Sequence, residues 1–488
     1  GSISIIGKSG VNVMINGKIL NLSGAALLNY LKSIRSENIS KIEVITTPPS
    51  KYEAQGNSGL INIILKKNPN LGFSGNITSG LNQRTYHNGS SNGTLNYQTE
   101  KLSLSLKTNY IDGAKRSNER YDIVGKSQNY SESTRKDMWR DLTPSLNLSY
   151  KMNKNSEIGM EYIFGNDHSG MDILNTTQNI APDLTEKNLI TNTFHREKSP
   201  THTFSTYYDL KLDSIGKKLS IASNFYRNDN NTEVNFSTLT LPENTIQDVK
   251  TLSQIKPQIF SVQADLELPF SFGIIETGTK FTQFKNSADL KYFNLENNQY
   301  IIDEEKGSIF HYQEENYAAY ASFSKNIGEH WETKAGLRYE NTAVKSSAKN
   351  FTYGQWFPSA YLSYKQKKNV FSASYSRRIN RPSMSNLNPF RWYENPYSYS
   401  TGNPLLTPSY INNYEISYTS NNKLSSSIYY VRLKNAFGQV STLDGLSQNS
   451  NYLNHYNNNF YGVNFSYTDT FFKFWEATAS FNASYQTS

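Results

Sequence analysis

Residues 475–485 read WEATASFNASY, and every second residue of this stretch is apolar or aromatic. Strict alternation is typical of a β-strand with one apolar and one polar face. The same pattern returns along most of the chain, for example in 331–339 (WETKAGLRY) and 260–268 (FSVQADLEL). One face of each predicted strand is aliphatic with aromatic ends, and the other is small, polar or charged.

The alternation predicts 17 strands from residue 73 onward. Many are about ten residues long, which is the length that a tilted strand needs to cross a bilayer. They lie near 73–82, 91–98, 102–111, 143–151, 156–165, 202–212, 217–228, 259–268, 271–284, 316–326, 330–342, 355–365, 369–378, 411–420, 424–435, 458–468 and 471–486. Short connections alternate with long ones rich in Asn, Ser, Thr, Asp and Tyr.

Composition narrows the class of protein. The 488 residues are 36% hydrophobic and 13% aromatic, too many rings for a disordered chain. The absence of Cys excludes disulfides, thiolate metal sites and cysteine nucleophiles. The net charge is +8, but no basic cluster or zinc-finger spacing accompanies it, so we expect no nucleic-acid partner.

Two architectures produce repeated amphipathic strands. A soluble β-sandwich packs its apolar faces on a second sheet and has turns of similar length at both ends. A transmembrane barrel has short periplasmic turns, long outer loops, a lipid-facing apolar side and a polar lumen. The alternation of short and long connections favours an all-β transmembrane antiparallel barrel.

Residues 1–70 predict a compact α+β unit instead. A strand over 11–15, the hairpin turn Asn16-Gly17 and a return strand come first. A helix over about 24–35 follows. Two more strands, over 42–45 and 60–65, complete the unit.

At this point the sequence resembles a known family. The stretches VNVMING (11–17), ISKIEVITTPP (39–49), KYEAQGNSG (51–59) and LINIILKK (60–67) resemble the plug domain of TonB-dependent outer-membrane receptors. Residues 375–408 resemble the barrel signature of the outer-membrane β-barrel subfamily common in Bacteroidota. The resemblance implies a plugged 22-stranded barrel in a Gram-negative outer membrane. Such a receptor imports a scarce, bulky nutrient with energy from TonB, and needs no cofactor.

The chain departs from that family at both ends. The expected organisation is a partial lumenal plug domain over 1–70 and a partial barrel over 71–488, with about 17 of 22 strands present and the last ones missing. TonB would bind through a segment that precedes this chain. We expect an open gap between the strands at 73–82 and 471–486.

Charges on polar strand faces suggest how a plug is held. The candidate plug–barrel contacts are Arg35, Lys51, Glu267, Glu332, Arg338, Glu340, Arg377 and Arg378. The hypothesis is that Glu332, Glu340 or Glu267 binds a plug cation such as Arg35 or Lys51. The alternative is that these groups are merely solvated lumen walls.

Rings and cations in the long loop 379–410 suggest a ligand site, because Tyr, Trp and Arg are favoured in binding pockets. The candidates for substrate binding are Arg381, Arg391, Trp392, Tyr393, Tyr397 and Tyr399, with Tyr52 and Asn57 on the plug. The alternative is that the loop rings belong to the aromatic girdle or pack the loop.

The expected function is TonB-dependent uptake of a small extracellular ligand by a barrel that contacts outer-membrane lipid. Ferric siderophore, peptide and glycan remain open as substrates. The alternatives are a passive or adhesive barrel with a structural plug, and an outer-membrane hydrolase. The seven His are scattered without any catalytic or metal-binding spacing, so no catalytic residue and no metal site is predicted.

Overall fold

The structure is a computed structural model of the chain. It describes residues 10–15, 18–19, 31, 39–45, 49–56, 58–65, 71–124, 128–181, 183–395, 398–421, 423–444, 447–472 and 474–488.

Within the described part of residues 1–70, the first sheet has four strands: β1 (Gly10–Ile15), β2 (Lys18–Ile19), β3 (Ile39–Ile45) and β4 (Ser58–Leu65). Their order is β2-β1-β4-β3, with β1 parallel to β4 and the other pairs antiparallel. Val13, Met14 and Leu60 are buried in it. The four predicted strands are confirmed. The predicted hairpin turn lies outside the described residues, as does the predicted helix except for Leu31, which is helical.

The barrel sheet follows, and the described residues form 22 strands of it. In chain order they are β5 (Gly72–Gln83), β6 (His87–Gln98), β7 (Leu102–Val124), β8 (Gln128–Lys151), β9 (Ser156–Ile180), β10 (Glu186–Lys211), β11 (Lys218–Asn228), β12 (Asn230–Leu241), β13 (Thr245–Ile255), β14 (Gln258–Phe270), β15 (Gly273–Glu296), β16 (Gln299–Ile302), β17 (Ser308–Ile327), β18 (Trp331–Ser346), β19 (Phe351–Gln366), β20 (Asn369–Asn380), β21 (Arg391–Asn395), β22 (Ser398–Thr401), β23 (Ser409–Ser420), β24 (Leu424–Asp444), β25 (Ser447–Phe471) and β26 (Trp475–Thr487). One short helix, α1 (Met384–Leu387), lies between β20 and β21.

Five of these strands, β12, β13, β16, β21 and β22, lie inside long connections. The other 17 match the predicted strands one for one. The short connections also lie where the pattern put them, for example at 99–101 and 152–155.

The long connections differ from the prediction, because much of their length is paired ribbon rather than loop. Residues 112–142 were expected to form a loop, yet β7 and β8 stay paired as far as Val124 and Gln128. Two strands can pair through backbone hydrogen bonds without an apolar face where both of their faces are polar and exposed to water. The apolar alternation therefore stops at the membrane boundary while the strands continue.

The outer face of the barrel carries exposed apolar side chains. Ile428 of β24, for example, is 61% exposed. A row of five Tyr crosses five neighbouring strands on this face, with consecutive ring centroids 4.9 to 6.5 Å apart. The row comprises Tyr375, Tyr414, Tyr430, Tyr461 and Tyr485. Such a row is the aromatic girdle that flanks the apolar band of an outer-membrane barrel.

The first and last strands of the barrel sheet, β5 and β26, are neighbours in the strand order. The strand order is that of a closed barrel, with β26 followed by β5. Every paired residue of β5 is matched with β6, and every paired residue of β26 with β25, over strands that the structure describes in full. These residue pairs do not join β26 to β5 although the strand order is closed, so the open gap stays a prediction.

No helix among the described residues has the length and apolar character needed to cross a bilayer.

Candidate functional site

Residues 50–56 of the N-terminal part lie against the polar face of the barrel wall. Ser50 Oγ donates to the carbonyl of Ala321 on β17 at 3.3 Å. Arg338 Nη1 of β18 donates to the carbonyl of Ser50 at 3.5 Å, and Arg378 Nη1 of β20 to that of Glu53 at 3.0 Å. We call residues 50–56 the wall segment.

The centre of this contact is a buried ion pair on β18. Arg338 and Glu340 are two residues apart, so they share one face of the strand. Each is 1% exposed, and Arg338 Nε lies 2.5 Å from Glu340 Oε1. The same carboxylate oxygen accepts the backbone N–H of Ala54 at 3.4 Å. Glu340 therefore joins the wall to the wall segment, and its buried charge is paired as burial requires.

Two further ion pairs flank the centre. Lys51 Nζ lies 2.9 Å from Glu276 Oε1 of β15. Glu53 pairs with Lys280, also on β15. The positive charge of Lys280 holds the pKa of the Glu53 carboxyl below its ordinary value.

These pairs correct part of the charge hypothesis. Lys51 binds Glu276 rather than any of the three predicted acids. Glu332 pairs with Lys334 on its own strand at 3.1 Å. Glu267 forms no ion pair with any described residue, and Arg35 lies outside the described residues. Glu340 does contact the wall segment, but through the backbone of Ala54 rather than through a cation.

Arg377 was also predicted to contact the plug, and its described contacts are with the wall instead. Its Nη2 donates to Gln355 Oε1 at 3.0 Å, and its guanidinium lies 5.3 Å from the ring centroid of Tyr410. Arg378, the next residue, points to the opposite side of the strand and reaches Glu53. Alternation along β20 explains the difference.

The wall segment also joins the barrel sheet through its backbone. Ile379 N donates to the carbonyl of Ala54 at 3.0 Å, and Gly56 N to that of Ile379 at 2.6 Å. Gln55 and Ile379 form a parallel bridge. Pairing between β19 and β20 ends at Ser376, so the wall segment lies beside the part of β20 that β19 has left. Sequence reasoning missed this contact because backbone groups leave no residue signature.

Arg381, predicted to contact substrate, is engaged in the same cluster. Its Nη2 lies 2.7 Å from Glu340 Oε2, and its Nη1 donates to Gln55 Oε1 at 3.1 Å. Its Nε donates to Tyr353 Oη at 3.0 Å. The first residue after β20 thus links the loop that begins there, the wall and the wall segment at one guanidinium.

The other loop candidates do not converge. The Trp392 ring meets His195 of β10 edge-on, with centroids 5.4 Å apart. Arg391 lies over the ring of Tyr399 at 5.0 Å. Tyr52, on the wall segment, has Lys51 Nζ 5.5 Å from its ring centroid.

Three remaining candidates cannot be placed in the site. The side chain of Tyr393 lies outside what the structure describes, and so do the whole residues Tyr397 and Asn57. Within the described residues, no group of three or more His, Cys, Asp or Glu is arranged to hold a metal ion.

Comparison with known proteins supports the architecture. The chain shares its fold with the siderophore receptor PirA from Pseudomonas aeruginosa, at 15% identity and a TM-score of 0.59, over 98% of this chain and 77% of that one. The copper transporter OprC gives 13% identity and a TM-score of 0.61, over 98% and 71%. The alcaligin receptor FauA from Bordetella pertussis gives 12% and 0.52, over 98% and 72%. No curated protein matches the sequence.

A family model decides the classification. It describes the outer membrane protein beta-barrel family and matches residues 210–488, more than half of the chain. The strand order, the outward apolar face and the aromatic girdle agree with it. The chain therefore belongs to the outer membrane protein beta-barrel family, has the fold of a TonB-dependent receptor, and resides in the outer membrane of a Gram-negative bacterium.

Proposed function

We propose that this protein imports a small extracellular ligand across the outer membrane, and that energy from TonB displaces its N-terminal plug. The single observation that carries the proposal is the wall segment itself. Residues 50–56 are held on the lumenal wall by side-chain and backbone bonds from several strands. A segment held in this way obstructs the lumen until work is done on it.

The contacts suggest how the segment is released. Most of them are ion pairs and hydrogen bonds, and few are apolar. Bonds of this kind exchange readily for bonds to water once water enters. A pull on the N-terminal part would then break them one after another, while the barrel wall stays intact because its strands pair with each other.

Arg381 gives the extracellular side a physical link to the plug. Its guanidinium contacts Gln55 of the wall segment and Glu340 of the wall, and the loop up to β23 begins at this residue. A ligand that shifts this loop would change those contacts. We infer that ligand occupancy is communicated to the plug through this side chain.

The substrate class is proposed from the structural neighbours. The structural neighbours named above are a siderophore receptor, an alcaligin receptor and a copper transporter. We propose a metal chelate of the siderophore type as the first ligand to test, with peptide and glycan as the other two classes. The described residues do not form a pocket that discriminates among them.

Uptake measurements in cells with and without TonB test the proposal. Cells carrying the receptor gene are given radiolabelled ferric chelates, peptides or oligosaccharides, and accumulation is compared between the two strains. The proposal expects accumulation of one class that disappears without TonB. Accumulation that persists without TonB would instead establish a passive barrel.

A further inference from the structure

A cleft lies on the outer face of the sheet, away from the plug and the lumen. It has a volume of about 250 Å³ and is formed by β7, β8, β9 and β10 with the turn between β5 and β6. Its principal side chains are Tyr86, Arg116, Lys136, Asp172, Leu174 and Phe194. On β7, Arg116 shares its face with Leu106 and Tyr110, which are exposed to the lipid side.

The height of this cleft can be worked out from the strand geometry. Strands rise about 3.3 Å per residue and tilt about 45° across a bilayer. The run from Leu102 to Arg116 thus climbs about 33 Å, a little beyond an apolar band about 25 Å tall. The cleft lies just outside the hydrocarbon, at the level of the lipid headgroups of the outer leaflet.

The charges in the cleft are not balanced by the protein. Arg116 and Lys136 are directly opposite each other on β7 and β8, where like charges repel. Neither forms an ion pair with any residue of the part that the structure describes. Lys136 Nζ instead lies 4.9 Å from the ring centroid of Tyr86.

The one acid in the same row does not offset these cations. Asp172 is opposite Lys136 on β9, but its carboxylate lies 2.7 Å from Arg196 and is neutralised there. Arg135, which also borders the cleft, points to the other face, where Glu119 and Asp137 hold it. The cleft therefore presents two adjacent cations, and its one lining carboxylate, Asp172, is in an ion pair with Arg196 instead of with either of them.

We propose that this cleft binds the phosphorylated saccharide head of an outer-leaflet glycolipid. A phosphate between Arg116 and Lys136 would relieve their repulsion, and a guanidinium binds phosphate oxygens in a matched two-point geometry. The ring of Tyr86 offers a stacking surface for a sugar, and Leu174 and Phe194 supply an apolar wall. The site does not depend on transport, since it lies on the opposite face of the sheet from the plug.

Binding is tested with the whole receptor in phosphatidylcholine nanodiscs. The probe is lipid A with two phosphates, compared with the same lipid freed of phosphate, and bound lipid is counted by native mass spectrometry. We expect the Arg116→Gln/Lys136→Gln variant to bind the phosphorylated lipid about 20-fold more weakly, since each cation near a membrane surface contributes several-fold. Each single variant should show part of this loss, which guards against a misfolded double variant.

Arg120→Gln is the matched control. Arg120 is on the same face of β7, four residues further from the membrane, and is already paired with Asp122 and Glu132. It should bind the lipid as the unaltered receptor does. The proposal is overturned if the double variant binds like the control, if the phosphate-free lipid binds equally well, or if inorganic phosphate alone occupies the cleft as tightly as the lipid.

Discussion

Arg381 Nη2 and Glu340 Oε2 lie 2.7 Å apart, and this ion pair joins the start of an extracellular loop to the barrel wall. Glu340 also binds Arg338 at 2.5 Å and the backbone of Ala54. One carboxylate therefore offsets two cations, the buried Arg338 and the partly buried Arg381, and holds the wall segment. No other described carboxylate touches loop, wall and wall segment together.

Replacing Glu340 with Gln should destabilise this junction. The change keeps the shape but leaves the guanidinium of Arg338 without its carboxylate and that of Arg381 with only the more distant Glu314, and breaking a buried pair costs about 3–5 kcal/mol. We expect residues 50–56 to lose hydrogen-exchange protection and the urea midpoint to fall. Glu332→Gln is the control, since its partner Lys334 is half exposed and such pairs contribute about 0–1 kcal/mol. Equal effects of the two changes would contradict the central role of Glu340.

Reversing the charge of Lys51 alone should weaken its contact with Glu276, and reversing both charges should restore the contact. Lys51→Glu places two carboxylates together, and the second change, Glu276→Lys, restores opposite charges. The pair is partly exposed, so its coupling should be about 1 kcal/mol or less. A double-mutant cycle on the exchange protection of 50–56 measures it. A double variant no better than Lys51→Glu alone would mean that the two side chains do not interact.

Acid should loosen the wall segment through Glu53. Lys280 lowers the folded-state pKa of this carboxyl below its ordinary value of 4.5. Because the folded pKa is the lower one, the stabilisation is present above pH 4.5 and is lost as the pH falls through the folded pKa. The hydrogen-exchange protection of residues 50–56 should therefore decrease as the pH falls from 4.5 through the folded-state pKa. Glu53→Gln should remove part of this pH dependence, and an unchanged profile would argue against the pair.

The lipid-facing assignment is tested by two neighbouring residues of β24. Ile428 is on the outer face, in register with Ile416 and Val463, whereas Ser427 faces the lumen. Arg on the lipid face costs about 2–4 kcal/mol near the bilayer centre. Ile428→Arg should lower folding stability in lipid vesicles by about that amount, and Ser427→Arg by much less. The reverse order would place the apolar face inside the barrel.

Much of the fold could be predicted from the sequence because alternation is a strong signal where one face meets lipid. The 17 principal strands follow from it, and so does the polar inner face that carries Arg338 and Glu340. The outer ribbons, such as the upper part of β7, could not be found. Their two faces are both polar, so pairing leaves no periodic trace.

The contacts between the plug and the wall could not be predicted from the sequence as well as the strands could. Glu276 and Lys280 lie on the polar face of β15, but alternation does not say which wall residue lies opposite Lys51, because that depends on how the N-terminal part sits in the lumen. Arg381 was assigned to ligand binding for being in a long loop. Its contacts with Gln55 and Glu340 arise from residues far apart in sequence.

The central claim is that the wall segment must leave the wall for transport to occur. Gln55 and Ile379 form a backbone bridge, and the chain has no Cys, so Gln55→Cys/Ile379→Cys introduces a single possible disulfide. The control is Ser372→Cys/Ser417→Cys, which links β20 to β23 at hydroxyls 2.7 Å apart without touching the plug.

The decisive measurement is TonB-dependent uptake by cells carrying the first pair, under oxidising and then reducing conditions. The account predicts that the oxidised pair blocks uptake while ligand still binds at the cell surface, that reduction restores uptake, and that the control pair transports throughout. Full uptake with the Gln55–Ile379 bond verifiably formed would contradict it.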